Sequence, residues 1–163
     1  MPIEMNSMIS RFLILIVLIS ISCKNKNLDE TPMWNASNSD IAKWKEDALT
    51  KGDTNAYYNL SLDYMDSPYD SFLETALEMA NKHEYHLAFS DAYDCLINID
   101  RNYDEHELKP LSNENRKLAI DMLKRGAAKG NNECKRKLGE LYLEGIYLEE
   151  DLEKGNELIK ESQ

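Results

Sequence analysis

The chain has 163 residues, with 30 Asp and Glu against 19 Lys and Arg, giving a formal net charge of −11 at pH 7. A nucleic-acid backbone needs a basic stripe to release its counterions, and Lys124-Arg125 and Lys135-Arg136-Lys137 are too short to supply one, so no nucleic-acid partner is expected. The length suits one domain around one core and excludes two well-buried ones.

In chain order, the first feature is the apolar run Phe12 to Ile21, preceded by Arg11 and closed by Ser22 and Cys23. An α-helix needs roughly 20 residues to cross the hydrocarbon core, and this run has about half of that, so a cleaved export signal is expected in place of a membrane span. Leu18-Ile19-Ser20-Ile21-Ser22-Cys23 resembles the lipobox of a bacterial lipoprotein signal. The resemblance implies loss of residues 1–22, diacylation of the Cys23 thiol and a lipid anchor. It places the protein in the bacterial cell envelope, on a membrane facing the periplasm or the cell exterior. Cleavage removes one base, Arg11, and one acid, Glu4, so the charge stays at −11.

Residues 23–40 form the lipidated Cys and its tether. The stretch is rich in Asn, Ser and Asp, has Pro32 in its middle and shows no sustained apolar period. A flexible segment of this length spans about 20 to 25 Å. Trp34 packs on the first helix or rests at the membrane interface.

From residue 41 to 163 the apolar period is helical. Ile41, Trp44, Ala48 and Leu49 make one stripe, and Ala56, Leu60 and Tyr64 make the next after a break at Gly52-Asp53. Phe72, Ala76, Leu77, Met79 and Ala80 predict a third helix, and Leu87, Ala88, Ala92, Cys95 and Leu96 a fourth. The polar segment Asp100 to Glu107, ending near Pro110, breaks the pattern. Ser112 or Asn113 then caps a fifth helix containing Leu118, Ala119, Met122, Leu123 and Ala127, with Glu114 in its first turn. Cys134, Leu138, Leu141 and Tyr142 predict a sixth, before Gly145, and Leu152, Leu158 and Ile159 a short last one. Strand signals are almost absent. Cys95 and Cys134 have no C-x-x-C partner; they either pair with each other in an oxidising compartment or pack as small apolar residues.

An internal repeat runs through this pattern. Laying Gly52 on Gly130 also superposes Lys51 on Lys129, Leu60 on Leu138 and Tyr64 on Tyr142, with Asp53 opposite Asn131 and Ala56 opposite Cys134. A turn glycine, a small residue, then an apolar and an aromatic residue at four-residue steps describe a helix pair closed by a tight turn. Such a pair cannot bury its own apolar faces, so neighbours must stack.

At these residues the chain resembles the Sel-one-like repeats, a branch of the tetratricopeptide-type α-solenoids. The best match is Ala119 to Ile159, with Ala127-Ala128-Lys129-Gly130-Asn131, Cys134 where the family usually has Ala, Leu138-Gly139, Tyr142, Gly145, Asp151 and Lys154. Gly155 stands where Ala is usual, and the second loop Gly is replaced near Tyr147. In the first unit Ser61 takes the place of Gly139. The segment Ala76 to Leu96 keeps the small residues Ala80, Ala88 and Ala92 but lacks the turn Gly. The resemblance implies an all-α fold, a short α-solenoid of about three antiparallel helix pairs, doing adaptor or scaffold work.

Catalytic constellations are thin, and no enzyme, cofactor or metal centre is expected. His83-Glu84-Tyr85-His86 lacks the four-residue His spacing of a zinc-protease helix, although two His at i, i+3 can share a face. His106 sits among Asp104, Glu105 and Glu107 in a solvated loop, and Glu149-Glu150-Asp151 reads as an acidic loop and helix start. The nine Tyr are a better lead. Tyr57, Tyr58, Tyr85, Phe89 and Tyr93 fall on successive amino-terminal helices, and Tyr64 and Tyr142 are expected in the core. Tyr58 and Tyr85 lie off the obvious core stripes and are the candidate partner-binding residues. The function expected is a membrane-anchored protein–protein interaction module. Its alternatives are an immunity-type protein sequestering a toxic effector, whose basic surface the acidity would attract, and a structural envelope lipoprotein.

Overall fold

The computed structural model describes residues 36–64, 69–99 and 107–163. The expected signal 1–22, Cys23, most of the expected tether with Trp34, and His106 lie outside the described residues. Among those described the fold is all-α: seven helices and no strand. They are α1 (Asn38–Lys51), α2 (Thr54–Asp63), α3 (Tyr69–His83), α4 (His86–Ile99), α5 (Asn113–Ala128), α6 (Asn132–Glu144) and α7 (Leu152–Glu161).

Local chemistry sets the helix ends. Ser37 caps α1 in a reciprocal box with Asp40, so the helix begins ahead of Ile41 and takes in residues that the composition assigns to the tether. Asp53 caps α2, Ser112 caps α5, Asn131 caps α6 and Asp151 caps α7, each accepting from backbone N–H groups of the first turn. Before α5, Arg116 donates to the carbonyls of Leu108, Lys109 and Leu111, and this loop sends Leu108 and Leu111 into the core.

Three of the turns share one design. Gly52, Glu84 and Gly130 all have positive φ, at 69°, 52° and 84°. Four residues before them stand Ala48, Ala80 and Gly126, and four after stand Ala56, Ala88 and Cys134, all buried. One helical turn on either side of a reversal the two helices come closest, so only small residues fit. A Cβ on Gly126 would lie 2.4 Å from the Cys134 Sγ. Where the glycine is missing, Glu84 takes the left-handed conformation at a cost of roughly 1 kcal/mol, and its carboxylate meets the Lys129 ammonium at 2.6 Å.

Within these hairpins α1 packs on α2, α3 on α4 and α5 on α6; between them α1 meets α3, and α4 meets both α5 and α6. His83 fixes one of the joints. Its Nε2–H donates to the Leu49 carbonyl at 2.9 Å, its ring fills the space beside Gly52, and Lys82 donates to the same carbonyl at 2.7 Å. His83 ends α3 while His86 opens α4, so the two do not share a helix face. The last helix crosses α6 through glycines: a Cβ on Gly139 would come 2.8 Å from the Gly155 carbonyl oxygen, and one on Gly155 would meet Leu143 at 2.7 Å. This close crossing accounts for glycine at position 155.

Tyr57, Phe89 and Tyr93 are buried, whereas Tyr64 and Tyr142, expected in the core, are half-buried at its edge. Cys95 and Cys134 are both buried free thiols, packed as small apolar residues, and burial pushes each up to about 12.

Candidate functional site

α5 and α7 both pack on α6 without packing closely on each other, and the space between them is an open groove of about 470 Å³. Its floor is Leu138 and Tyr142 of α6; Ala127 and Ala128 of α5 and Leu158 of α7 complete the apolar lining. Three lysines rim it: Lys124 from α5, Lys135 from α6 and Lys154 from α7, against one carboxylate, Glu161.

The lysines differ in what holds them. Lys135 pairs with Glu161 at 2.9 Å. The Lys154 ammonium donates to the Tyr142 hydroxyl at 2.9 Å and sits 4.4 Å from the centre of that ring, contacts that raise its proton affinity without neutralising it. Asp151, which also favours the charged form, is engaged in capping α7. Lys124 is exposed and, among the described residues, makes no ion pair. The rim therefore carries a surplus of positive charge on a chain whose total is −11. The three lysines come from three helices, far apart in sequence, so no linear motif announces them.

A second polar cluster lies between α2, α4 and α6. The Tyr57 hydroxyl donates to Asp91 Oδ2 at 2.7 Å, and burial pushes Asp91 up to about 6. One turn on, Asp94 is pushed up to about 7, first by burial and then by Glu133, against the pull of Lys137 at 4.0 Å. Lys137 also lies 3.5 Å from Glu107 and 4.9 Å from the centre of the Tyr93 ring, and the Tyr93 hydroxyl donates to Glu107. The Tyr57–Asp91 and Tyr93–Glu107 hydrogen bonds and the contacts of Lys137 with Asp94 and Glu107 tie the helices together.

Of the two tyrosines predicted to meet a partner, Tyr58 is on α2 and 56% exposed. Tyr85 is not on a helix. It lies in the α3–α4 turn, half-buried, with its ring edge-on to Tyr57 at 5.5 Å and to His86 at 5.4 Å. Tyr85 extends the aromatic group Tyr57–Phe72–Tyr64. Among the described residues no group of three or more His, Cys, Asp and Glu is placed to hold a metal ion, and no helix is long and apolar enough to cross a membrane.

No protein-family model matches this chain, nor does any curated protein or solved structure.

Proposed function

We propose that the protein is a lipid-anchored module of the bacterial cell envelope whose helical domain, a short solenoid of three antiparallel helix pairs of Sel-one-like kind, binds another protein. The observation that carries the fold part is the recurrence of one turn design, a small residue, a positive-φ residue and a second small residue at four-residue steps, at Gly52, Glu84 and Gly130. Units that repeat a turn and pack on their neighbours bury a continuous core by stacking, and such stacks present extended surfaces suited to protein partners. The lipobox-like Leu18 to Cys23 supports the address.

Two measurements test this. Cys23→Ala should release the protein from membranes and abolish incorporation of a labelled fatty acid; continued membrane attachment refutes the anchor. Proximity labelling from the intact lipoprotein should mark one reproducible envelope neighbour, and labelling no different from an unrelated lipoprotein of equal abundance refutes the binding module.

A further inference from the structure

We propose that the groove between α5, α6 and α7 holds an extended acidic peptide segment of the partner, with its carboxylates on Lys124 and Lys154 and one apolar side chain on the Leu138–Tyr142–Leu158 floor. This deepens, and rests on, the protein-binding function above. The rim sets the sign of the ligand. Three ammonium groups surround the groove and one carboxylate answers them, so a surplus of positive charge faces an opening in an otherwise acidic molecule.

At physiological ionic strength exposed charges more than roughly 8 Å apart are largely screened, so the local field is set by the charges on the groove itself. Lys135 is committed to Glu161, whereas Lys154 donates to the neutral Tyr142 hydroxyl and has as its nearby acid Asp151, which is engaged in capping α7, and Lys124 makes no ion pair among the described residues. Two positive charges are thus left for a ligand, one on each wall.

The lining also selects against a small anion. Leu138, Tyr142, Leu158 and two alanines give the groove an apolar floor that phosphate alone would leave unfilled, and its volume lies within the range of ligand sites. Lysine ammonium groups act as point charges without the planar fork of arginine, which suits carboxylates on a flexible chain better than a fixed bidentate contact.

The test uses a fluorescent synthetic peptide in which a leucine is flanked on both sides by Asp and Glu, titrated with the full chain in detergent. The acidic peptide should bind at least about tenfold more tightly than its Asn/Gln counterpart, and replacing its leucine by serine should weaken it about fivefold. Lys124→Ala and Lys154→Met should each weaken it about fivefold, while Lys43→Ala on the distant α1 should not. Equal affinity for acidic and amide peptides, unchanged binding by both lysine variants, or displacement by inorganic phosphate as effective as by unlabelled peptide overturns the proposal. An envelope neighbour that is still labelled by the Lys124→Ala/Lys154→Met double variant also overturns the groove, and leaves the binding module standing. Peptide binding as expected with no neighbour labelled supports the groove and removes the envelope module.

Discussion

The Tyr57 hydroxyl on α2 donates to the Asp91 carboxylate on α4 across 2.7 Å, and so joins the first helix pair to the second through a polar contact inside a largely apolar interface. The bond lowers the proton affinity of Asp91, but burial outweighs it and the carboxyl is pushed up to about 6; Glu133 on α6 pushes in the same direction. A carboxyl raised in the folded state binds more protons there than in the unfolded chain, so stability falls as pH rises from about 4 towards 6. Asp94, facing Glu133, Lys137, Asp91 and Glu107, extends that window to about 7. The exposed Asp40 and Glu84 are shifted downward, so their contribution is lost only in acid below the usual carboxylate range. Urea unfolding should therefore show a protein about 1 to 2 kcal/mol more stable near pH 5 than near pH 8 after allowance for solvent screening. Asp91→Asn, which keeps an acceptor for Tyr57, should flatten that slope. A profile that rises across the window would show that these carboxylates are not desolvated.

Asn131 binds two helix pairs together with a single side chain. Its Oδ1 accepts from the Cys134 backbone N–H at 2.8 Å, capping α6, while its Nδ2 donates to the His86 carbonyl at 2.9 Å and to Ser90 Oγ at 3.1 Å on α4. It is 2% exposed, so unmade bonds cannot be replaced by water. Asn131→Ala should cost about 2 to 4 kcal/mol, against about 1 kcal/mol for the exposed cap Asp53→Ala. Asn131→Asp separates the two roles: it keeps the cap but turns a carboxylate towards the His86 carbonyl. It should be nearly as destabilising as alanine, and a near-neutral result in chemical denaturation would reduce Asn131 to a helix cap.

The helix order was legible because apolar residues recur at three- and four-residue steps and turn residues separate them. Glu84 was not legible as a turn residue, since a non-glycine side chain gives no local sign that it will adopt positive φ; the small residues Ala80 and Ala88 around it did carry the signal. Tyr85, expected on a helix, lies in the turn for the same reason: without a glycine nothing local marks the turn that holds it. The groove lysines and the Tyr57–Asp91 bond depend on register between helices, which periodicity along one helix cannot supply.

Glycine serves two different purposes in the carboxy-terminal half, and alanine substitutions separate them. At Gly130 a Cβ would meet nothing within 4 Å, but φ is 84°, so Gly130→Ala should cost about 1 kcal/mol through backbone strain alone. At Gly139 the backbone is helical, and the added methyl would press on the Gly155 carbonyl and Ile159, each 2.8 Å away. Crowding of about 1 to 3 kcal/mol, less about 1 kcal/mol gained in helix propensity, leaves Gly139→Ala destabilising by up to about 2 kcal/mol. Gly155→Ala meets mainly the Leu143 side chain, which can move, so it should cost less. The ranking is checked by urea midpoints, and a stabilising Gly139→Ala would contradict the close crossing of α6 and α7.

Tyr58 and Tyr85 differ as probes of partner binding. Tyr58 is 56% exposed and takes part in no aromatic pair among the described residues, so Tyr58→Ala should change stability by less than about 0.5 kcal/mol. Tyr85 presents its ring edge-on to the buried Tyr57, and its loss removes an aromatic pair and part of the cover over the core. Tyr85→Ala should cost about 1 to 2 kcal/mol and lower the melting transition. A binding defect in Tyr85→Ala alone would thus mix lost contact with lost stability. Tyr85→Phe keeps the ring and resolves the two: it should melt like the parent chain, because the ring and not the hydroxyl makes the contacts with Tyr57 and His86. A Tyr85→Phe protein as destabilised as Tyr85→Ala would show that the hydroxyl, rather than the edge-on packing, holds the α3–α4 turn in place.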